Sequence, residues 1–277
     1  MSAQATIQSM PGARVTAAPS AVLIVYAGAW LQGMALVSFP AVSAMLKQTL
    51  ALSDADYGAI FLPQVAFAII GAVAGGALAR KIGLRALFAL ALAANSASQA
   101  FLAGSAFASS SGGDLLLLAG AASLGLGFGL FGGPINAYPG RLFPRSSQTA
   151  IVAAHTMIGL GLAIGPLIAG AFVKAGLWSG FPISLGAFCA ITAVAAALVL
   201  LPPRTTAVAA DEAKATRPIA SLAFWLFAVT VVIYAFAEGA FSSWAVIFHR
   251  DVMGLHDMTA SLALSAFFGA RWSPDAC

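Results

Sequence analysis

Charged residues are scarce in this chain, and their scarcity excludes an ordinary soluble domain. They make up 8% of its 277 residues, whereas hydrophobic residues make up 61%. Soluble globular domains have about 25% charged residues, and these supply the polar surface that covers the hydrophobic core. This chain has too little polar material for such a surface, so we predict that its surface faces lipid.

The chain also lacks the residue clusters that most enzymes and cofactor sites need. Its two cysteines, Cys189 and Cys277, cannot form a disulfide framework or a metal cluster. There is no paired carboxylate, histidine cluster or nucleophile arrangement at one membrane depth, which disfavours a membrane-embedded enzyme. The glycine-rich run 125–133 has no Lys-Ser/Thr and follows no strand, so it does not indicate a nucleotide loop. We therefore expect no metal and no cofactor.

Long apolar runs occupy most of the chain and predict an all-α polytopic membrane protein. A hydrocarbon core of about 30 Å needs roughly 20 apolar residues in a helix. The runs are continuous and do not alternate apolar with polar residues, which disfavours a β-barrel. An eighth run begins near Met258 but ends at Ala270, too short to cross. We predict seven full spans and a partial eighth, the seven being approximately Ala21–Leu46, Tyr57–Ala79, Leu84–Phe107, Leu115–Tyr138, Gln148–Val173, Gly180–Leu201 and Ser221–Phe248.

The basic residues predict how the chain lies in the membrane. Lys and Arg favour cytoplasmic loops, and ten of the 13 fall on one predicted side while Lys47, Lys174 and Arg250 fall on the other. We therefore expect a cytoplasmic N-terminus in the cell's inner or plasma membrane. The basic residues mark helix ends without an aromatic-rich patch, so nucleic acid is not an expected partner. The ten are Arg14, Arg80, Lys81, Arg85, Arg141, Arg145, Arg204, Lys214, Arg217 and Arg271.

A polar interruption at residues 202–218 divides the chain into two parts and predicts its domain organisation. We expect a cytoplasmic tail (1–20), a six-helix bundle (21–201), a cytoplasmic linker (202–218), the start of a second bundle (219–270) and an atypical tail (271–277). Phe39–Ala59 and Phe241–Ser261 form a faint repeat, in which Leu-x-Asp precedes the next helix. Asp is a good N-cap there. A repeat across a linker is typical of transporters built from two halves.

The loop between spans two and three carries the first family signature. Residues 76–85 read GALARKIGLR, and this stretch resembles the G-x-x-x-D-[RK]-x-G-x-[RK] loop of the major facilitator superfamily. The resemblance implies an inner gate formed by Gly76, Arg80, Lys81, Gly83 and Arg85. Arg80 stands where the family has an acid, so we expect a weaker or differently paired gate. Any short cytoplasmic loop also favours glycine and cations, so a purely structural interpretation stays open.

Span five carries a second motif, which resembles the glycine motif of that family. Gly161, Gly165, Pro166 and Gly170 lie along one stretch, with Ala169 in place of one family glycine. Glycines four apart let two membrane helices approach closely, and proline removes a backbone hydrogen bond. Ordinary tight packing is the alternative interpretation, and the motif does not give the direction of transport.

Further residues resemble the fucose-permease-like branch of the superfamily. They lie in Pro134–Tyr138, Leu142–Arg145, His155 and Glu238–Trp244. The superfamily fold has twelve helices in two six-helix bundles, so this chain resembles the first bundle and about one and a half helices of the second. The expected glycine and apolar residues do not follow Ala270, and we therefore expect a C-terminal truncation.

Glu238 is the leading functional residue, because an ionised carboxylate inside a span costs several kcal/mol and must face a polar cavity, pair or become protonated. We expect it to carry proton coupling or substrate charge, although a protonated structural role stays open.

In the family, spans one, four and seven line the cavity, which implies solute contacts from Gln32 and Asn136. Trp244 would stack on solute or anchor the interface. Amides also join helices by hydrogen bonds, and further intramembrane amides are Gln64, Asn95 and Gln99.

Together these features predict a secondary transporter of a small solute that works by alternating access. Its partners would be the lipid bilayer, a small-molecule substrate and protons, since no ATP-binding motif is present. Two alternatives remain: a truncated, non-transporting remnant or subunit, and, less favoured, a membrane-embedded enzyme.

Overall fold

The computed structural model describes residues 18–108, 110–202 and 221–270, and these residues form helices without any strand. The all-α class predicted from the apolar runs is confirmed. A 3-10 turn (Pro144–Ser146) precedes α7, and a π-helical turn (Phe248–Val252) continues α9. The helices are α1 Pro19–Leu36, α2 Ser38–Ala41, α3 Ser43–Leu50, α4 Asp54–Ala59, α5 Phe61–Ser105, α6 Ser110–Leu142, α7 Ser147–Lys174, α8 Gly180–Leu198, α9 Leu222–Ile247 and α10 Asp257–Ala270.

Six helices in the described ranges are long and apolar enough to cross a membrane, so the predicted count of seven spans and a partial eighth is not supported as it stands. The difference arises because two predicted spans fall within a single counted segment of 52 residues, Asp54–Ser105. The last helix, α10, has only 14 residues. The predicted tails and nearly all of the predicted linker, at 1–17, 203–220 and 271–277, lie outside the described residues. The six candidates are Pro19–Leu36, Asp54–Ser105, Gly112–Leu142, Pro144–Lys174, Gly180–Leu198 and Leu222–Val252.

The long helix α5 is interrupted at Gly83, whose φ of 83° and ψ of 159° are not helical. Glycine is essentially the only residue that adopts this region without strain. The two arms of α5 then pack against the same helix, α6. In the first arm, Ala68 lies against Gly129, and in the second arm Asn95 lies against Gly127. The two arms therefore run in opposite directions along α6.

The buried apolar side chains form clusters at two opposite ends of the bundle. We call the end that carries Lys47, Asp54 and Arg250 the Lys47 end, and the end that carries Arg80 the Arg80 end. The cluster at the Lys47 end is built around Phe39, Leu46, Tyr57, Leu102, Leu117 and Phe181. The cluster at the Arg80 end is built around Val25, Phe88, Phe131, Tyr138, Ala154 and Ala196.

A third, smaller cluster joins α9 and α10 to the first six predicted spans. Val37 and the partly buried Leu162 contact Val246, Leu264 and Phe268 there. Only one end of α9 takes part: its buried residues are Ala245, Val246 and Ile247. The helix α9 therefore meets the rest of the bundle at the Lys47 end and stays exposed along most of its length.

Candidate functional site

A groove of about 710 Å³ lies between α9 and the face formed by α1, α2, α4, α5, α6, α7 and α10. Its volume falls within the roughly 300–1,000 Å³ that is typical of small-molecule sites. Glu238 and Trp244, both expected to contact solute, line this groove. Gln64, which the sequence showed only as one of several intramembrane amides, lines it as well.

The lining of the groove is mainly apolar and aromatic. Its only charged side chain among the described residues is Glu238, and its polar neutral side chains are those of Gln64, Ser242 and Ser243. No Lys, Arg or His is found among the described lining residues. The aromatic side chains that line the groove are Phe61, Phe128, Phe236, Trp244 and Phe268.

An aromatic cluster forms one wall of the groove near the Lys47 end. Tyr57 is fully buried and donates a hydrogen bond of 3.0 Å from its hydroxyl to the backbone carbonyl of Ser243. Its ring makes edge contacts with Trp244 and with Phe61, each at a centroid distance of 5.3 Å. Tyr57 thereby fixes Trp244 against the start of the second predicted span. No sequence pattern indicated a function for Tyr57 beyond its position after a helix start.

A chain of ion pairs at the Lys47 end reproduces the sequence repeat in three dimensions. Lys47 Nζ lies 2.5 Å from Asp54 Oδ1, and Arg250 Nε lies 3.2 Å from Asp257 Oδ1. Each pair joins the end of one helix to the start of the next, seven residues further on. A third contact of 3.9 Å links Lys47 Nζ to Asp251 Oδ2 and connects the two repeats.

A capping box strengthens the helix start in the first repeat. The Ser53 hydroxyl accepts from the backbone N–H of Asp56, and the Asp56 carboxylate accepts from the backbone N–H of Ser53. These reciprocal bonds satisfy two otherwise free donors at the helix start. The Leu-x-Asp pattern predicted the aspartate as the N-cap, whereas Asp54 is the first helical residue and Ser53 is the cap.

Gln32 does not lie in the groove. Its side chain is fully buried between helices, where its Oε1 accepts a 2.7 Å hydrogen bond from Nδ2 of Asn95. A second bond, of 2.9 Å from Gln99 Nε2 to the Ser38 hydroxyl, links the same two parts of the chain. This geometry favours the interhelical hydrogen bonds that the sequence analysis left open for the amides.

Asn136 lies apart from Glu238 and Trp244. It is exposed near the Arg80 end of α6, and its Nδ2 donates a 2.8 Å hydrogen bond to the carbonyl of Gly132, one turn earlier. Asn136 is not among the residues that line the groove. Of the four residues expected to contact solute or protons, the structure brings Glu238 and Trp244 together.

The residues expected to form the inner gate lie at and before the break in α5. Arg80, Lys81, Gly83 and Arg85 are all exposed, and the positions of Gly76 and Gly83 have open space around them. Within the described ranges, none of the three cations forms an ion pair. Gly83 is the residue of this group with a defined conformational role, because its backbone dihedrals turn the chain between the two arms.

The glycine motif of α7 lies at two helix contacts. A Cβ at Gly161 would lie 2.2 Å from the carbonyl oxygen of Trp30, and one at Gly33 would lie 2.0 Å from that of Ile158. Contacts below 3.0 Å do not occur for real Cβ atoms, so α1 and α7 touch through backbone. Gly165 packs against Val37 beside the buried Pro166.

The last glycine of the motif contacts a different helix. A Cβ at Gly170 would lie 3.0 Å from Cβ of Ser261 and 3.1 Å from Sδ of Met258, both in α10. The motif therefore touches the first predicted span at one end and the predicted eighth span at the other.

Comparison with known proteins identifies the family. The family model of the Major Facilitator Superfamily matches residues 20–274, which includes every helix described above except the first residue of α1. No curated protein matches the chain. The match agrees with the loop and glycine motifs in the sequence, with the all-helical fold and with the several apolar helices. The chain is a multi-pass membrane protein that belongs to the Major Facilitator Superfamily.

Proposed function

We propose that this chain moves a small solute through the groove beside α9 by alternating access. Members of the family are typically membrane transporters of small solutes and not enzymes, and the lipid bilayer is their environment. The observation that supports the proposal is the groove itself, because Glu238 and Trp244 line it together with residues of α5, α6 and α7. Family transporters bind solute between such halves.

The asymmetric contact of α9 supports one state of such a cycle. At the Lys47 end, Ala245–Ile247 are buried and the ion pairs connect the two repeats. Along the rest of α9, from Leu222 to Trp244, no residue is buried. This arrangement corresponds to a groove closed at the Lys47 end and accessible from the Arg80 end. Rocking of α9 and the helix that follows it against the first bundle would close the groove at the Arg80 end and open it at the Lys47 end.

The basic residues and the break at Gly83 support the remaining topology. The excess of Lys and Arg favours a cytoplasmic Arg80 end and N-terminus. As one straight helix, residues 54–105 would be about 78 Å long at 1.5 Å per residue, more than twice the hydrocarbon thickness. Division at Gly83 gives two spans in place of one, and hence seven spans with α10 as the start of an eighth. We retain the cell membrane, the six-helix bundle 21–201 and the second bundle from 219 as parts of this proposal.

Within the groove, Glu238 would carry proton coupling or the charge of the solute, and Trp244 would contact the solute. Gln32 and Asn136 are weaker candidates, since one is bonded to Asn95 and the other lies outside the groove. Residues 76–85 would gate the Arg80 end, without the acid that the family signature has at position 80. The fucose-permease-like branch stays a prediction from the motifs at 134–155 and 238–244.

A second candidate function is a subunit or non-transporting form that associates with other helices. It is favoured by α9, whose residues from Leu222 to Gly239 are exposed except for the partly buried Ala228 and Glu238, and by α10, which has 14 residues. A transporter and such a subunit differ in one property. Only the transporter moves solute when it is the only protein in the vesicle.

The decisive experiment is uptake into proteoliposomes that contain only this chain. Radiolabelled L-fucose and tetraphenylphosphonium serve as probes, with the membrane potential held at zero and a pH gradient imposed. We expect accumulation of one probe, lost in Glu238→Gln and kept in Asp114→Asn, which removes an exposed carboxylate outside the groove. If Glu238→Gln accumulates the probe as well as the wild type, the coupling role is wrong. If neither probe accumulates in vesicles that contain inserted protein above its level in protein-free vesicles, the subunit is the better account.

A further inference from the structure

We propose that the turn at Gly83 binds the headgroup of an anionic phospholipid in the leaflet at the Arg80 end. The binding side chains are those of Arg80, Lys81 and Arg85, which we call the Arg80 cluster. This inference goes beyond the proposed function, because lipid binding can be measured whether or not the chain moves any solute. It is carried by the distribution of charge between the two ends of the bundle and by the surface beside the turn.

The three cations of the Arg80 cluster meet at a reversal of the chain. Arg80 and Lys81 end the first arm of α5 and Arg85 begins the second arm, with the break at Gly83 between them. All three residues are exposed. Among the residues that the structure describes, none of the three has an ion-pair partner. The cluster therefore presents three positive charges that no described carboxylate compensates.

The carboxylates of the described residues lie away from this cluster. Five of the six are at the Lys47 end, where four of them form the ion pairs and the capping box given above. Asp114 is the fifth, since its neighbour Gly113 packs against Leu50 of α3. The six are Asp54, Asp56, Asp114, Glu238, Asp251 and Asp257. At the opposite end, Arg80 stands where the family signature has an acid. A counter-ion for the cluster therefore has to come from outside the described residues.

The surface beside the cluster fits a phospholipid better than a free anion. Ile82, inside the turn, is exposed, and so are Val73 on the first arm and Leu90 on the second. A Cβ at Gly76 or Gly83 would meet no atom within 4 Å, so open space lies next to the cations. A phospholipid can place its phosphate in that space and cover the apolar residues with its acyl chains. Free phosphate would leave the apolar residues uncovered.

The chemistry of the cluster favours a headgroup with a net negative charge. A guanidinium donates two parallel N–H bonds to one phosphate and stays charged at any physiological pH. Clusters of Lys and Arg next to a membrane helix are typical of sites for anionic lipids. Phosphatidylcholine carries its own cation, which the Arg80 cluster would repel. Phosphatidylglycerol has the same phosphate without that cation, so we expect the cluster to prefer it.

The test is lipid binding to the purified full-length chain in detergent, measured by native mass spectrometry. The two probes are phosphatidylglycerol and phosphatidylcholine with identical acyl chains, which differ in the net charge of the headgroup. We expect the wild type to bind its first phosphatidylglycerol at least tenfold more tightly than its first phosphatidylcholine, which corresponds to about 1.4 kcal/mol. An excess of inorganic phosphate should not displace the lipid. Equal affinity for the two lipids, or displacement by phosphate, would overturn the inference.

Three variants locate the site. The combined change Arg80→Gln, Lys81→Gln and Arg85→Gln should abolish the preference for phosphatidylglycerol, whereas Arg80→Lys with Arg85→Lys should keep most of it. Lys174→Gln removes an exposed cation at the Lys47 end and should leave the preference unchanged. Thermal unfolding checks that each variant is folded, and no described partner is lost in any of them. A combined variant that keeps the tenfold preference, or an equal loss in Lys174→Gln, would show that the cluster is not the site.

The acids of the predicted linker provide the last comparison. Asp211 and Glu212 lie outside the described residues. If a lipid headgroup is the counter-ion, Asp211→Asn with Glu212→Gln should leave the affinity for phosphatidylglycerol unchanged. An increase of tenfold or more would assign the cluster to the linker carboxylates and overturn the inference. Selective lipid binding by a chain that takes up no solute would contradict the proposed transport and leave this inference intact.

Discussion

Lys47 Nζ lies 3.9 Å from Asp251 Oδ2, and this contact joins the first repeat of the chain to the second. Lys47 also pairs with Asp54 of its own repeat. The Lys47 side chain is 19% exposed, whereas Asp251 is 50% exposed. Lys47 is thus the shared partner of two carboxylates, and one of them lies on the part of the chain that would move.

The first prediction concerns this contact. Lys47→Gln should weaken closure at the Lys47 end, because it leaves Asp251 without its cation from the first repeat. A cysteine at Ser242 in a background without native cysteines (Cys189→Ala, Cys277→Ser) reports access to the groove. We expect its labelling by an impermeant thiol reagent from the Lys47 side to rise several-fold in Lys47→Gln. Exposed ion pairs contribute about 0–1 kcal/mol, so a moderate effect is expected.

Lys174→Gln is the matched control for this experiment. Lys174 ends α7 and is exposed at the same end of the bundle, but it has no ion pair among the described residues. Its loss should leave the labelling rate unchanged. Equal rates in Lys47→Gln, Lys174→Gln and the parent would show that the Lys47–Asp251 contact does not hold the groove closed.

The second prediction concerns the contact between α1 and α7. Gly161→Ala should destabilise the protein by about 1–3 kcal/mol, because the new methyl group would overlap the backbone carbonyl of Trp30. Gly132→Ala changes a glycine of α6 that has open space around it and should be neutral or slightly stabilising. Thermal unfolding in detergent measures both. Similar midpoints for the two variants would contradict the close backbone contact.

The third prediction concerns the break in α5. Gly83→Ala should destabilise the protein by roughly 1–3 kcal/mol, since alanine does not tolerate a φ of 83° with a ψ of 159°. Gly76→Ala is the control, because Gly76 is helical and also has open space around it. Thermal unfolding of the two variants tests the difference. A Gly83→Ala protein that is as stable as Gly76→Ala would argue for an uninterrupted helix at this point.

The fourth prediction concerns the buried amides. Removing Asn95 by Asn95→Leu should destabilise the protein and leave Oε1 of Gln32 without its donor. A double-mutant cycle with Gln32→Leu should give a coupling energy of about 0.6–2 kcal/mol, the range for hydrogen bonds between membrane helices. Asn136→Leu removes an exposed amide bonded only within its own helix and should show no coupling to Gln32→Leu. Additive effects of Asn95→Leu and Gln32→Leu would contradict a stabilising bond between them.

Sequence patterns predicted the elements of this fold well because hydropathy determines which segments enter a membrane. The apolar runs identified the helical class, and the signature at residues 76–85 pointed to Gly83, whose dihedrals divide α5. The number of spans was less accessible, since residues 54–105 count as one candidate span by length and hydropathy. Hydropathy gives the composition of a segment and does not show whether the backbone turns within it.

The site could be predicted only in part, because a helical sequence does not fix which face meets which neighbour. Glu238 was recognised from its cost inside a span, and it does line the groove. Gln32 was assigned by analogy to a cavity, yet its side chain is buried between α1 and α5, where Asn95, 63 residues away, donates a hydrogen bond to it. Tyr57 was missed, because its contacts with Ser243 and Trp244 come from a segment about 186 residues away.

The two short-range ion pairs at the Lys47 end also bear on how the molecule is assembled. Lys47–Asp54 and Arg250–Asp257 each close a turn between consecutive helices, so each can form as soon as its own pair of helices leaves the ribosome and enters the bilayer. The Lys47–Asp251 contact needs more than two hundred further residues to be synthesised. The turn between each pair of helices can therefore form its own ion pair during translation. The two turns can contact each other only after the second one has been synthesised.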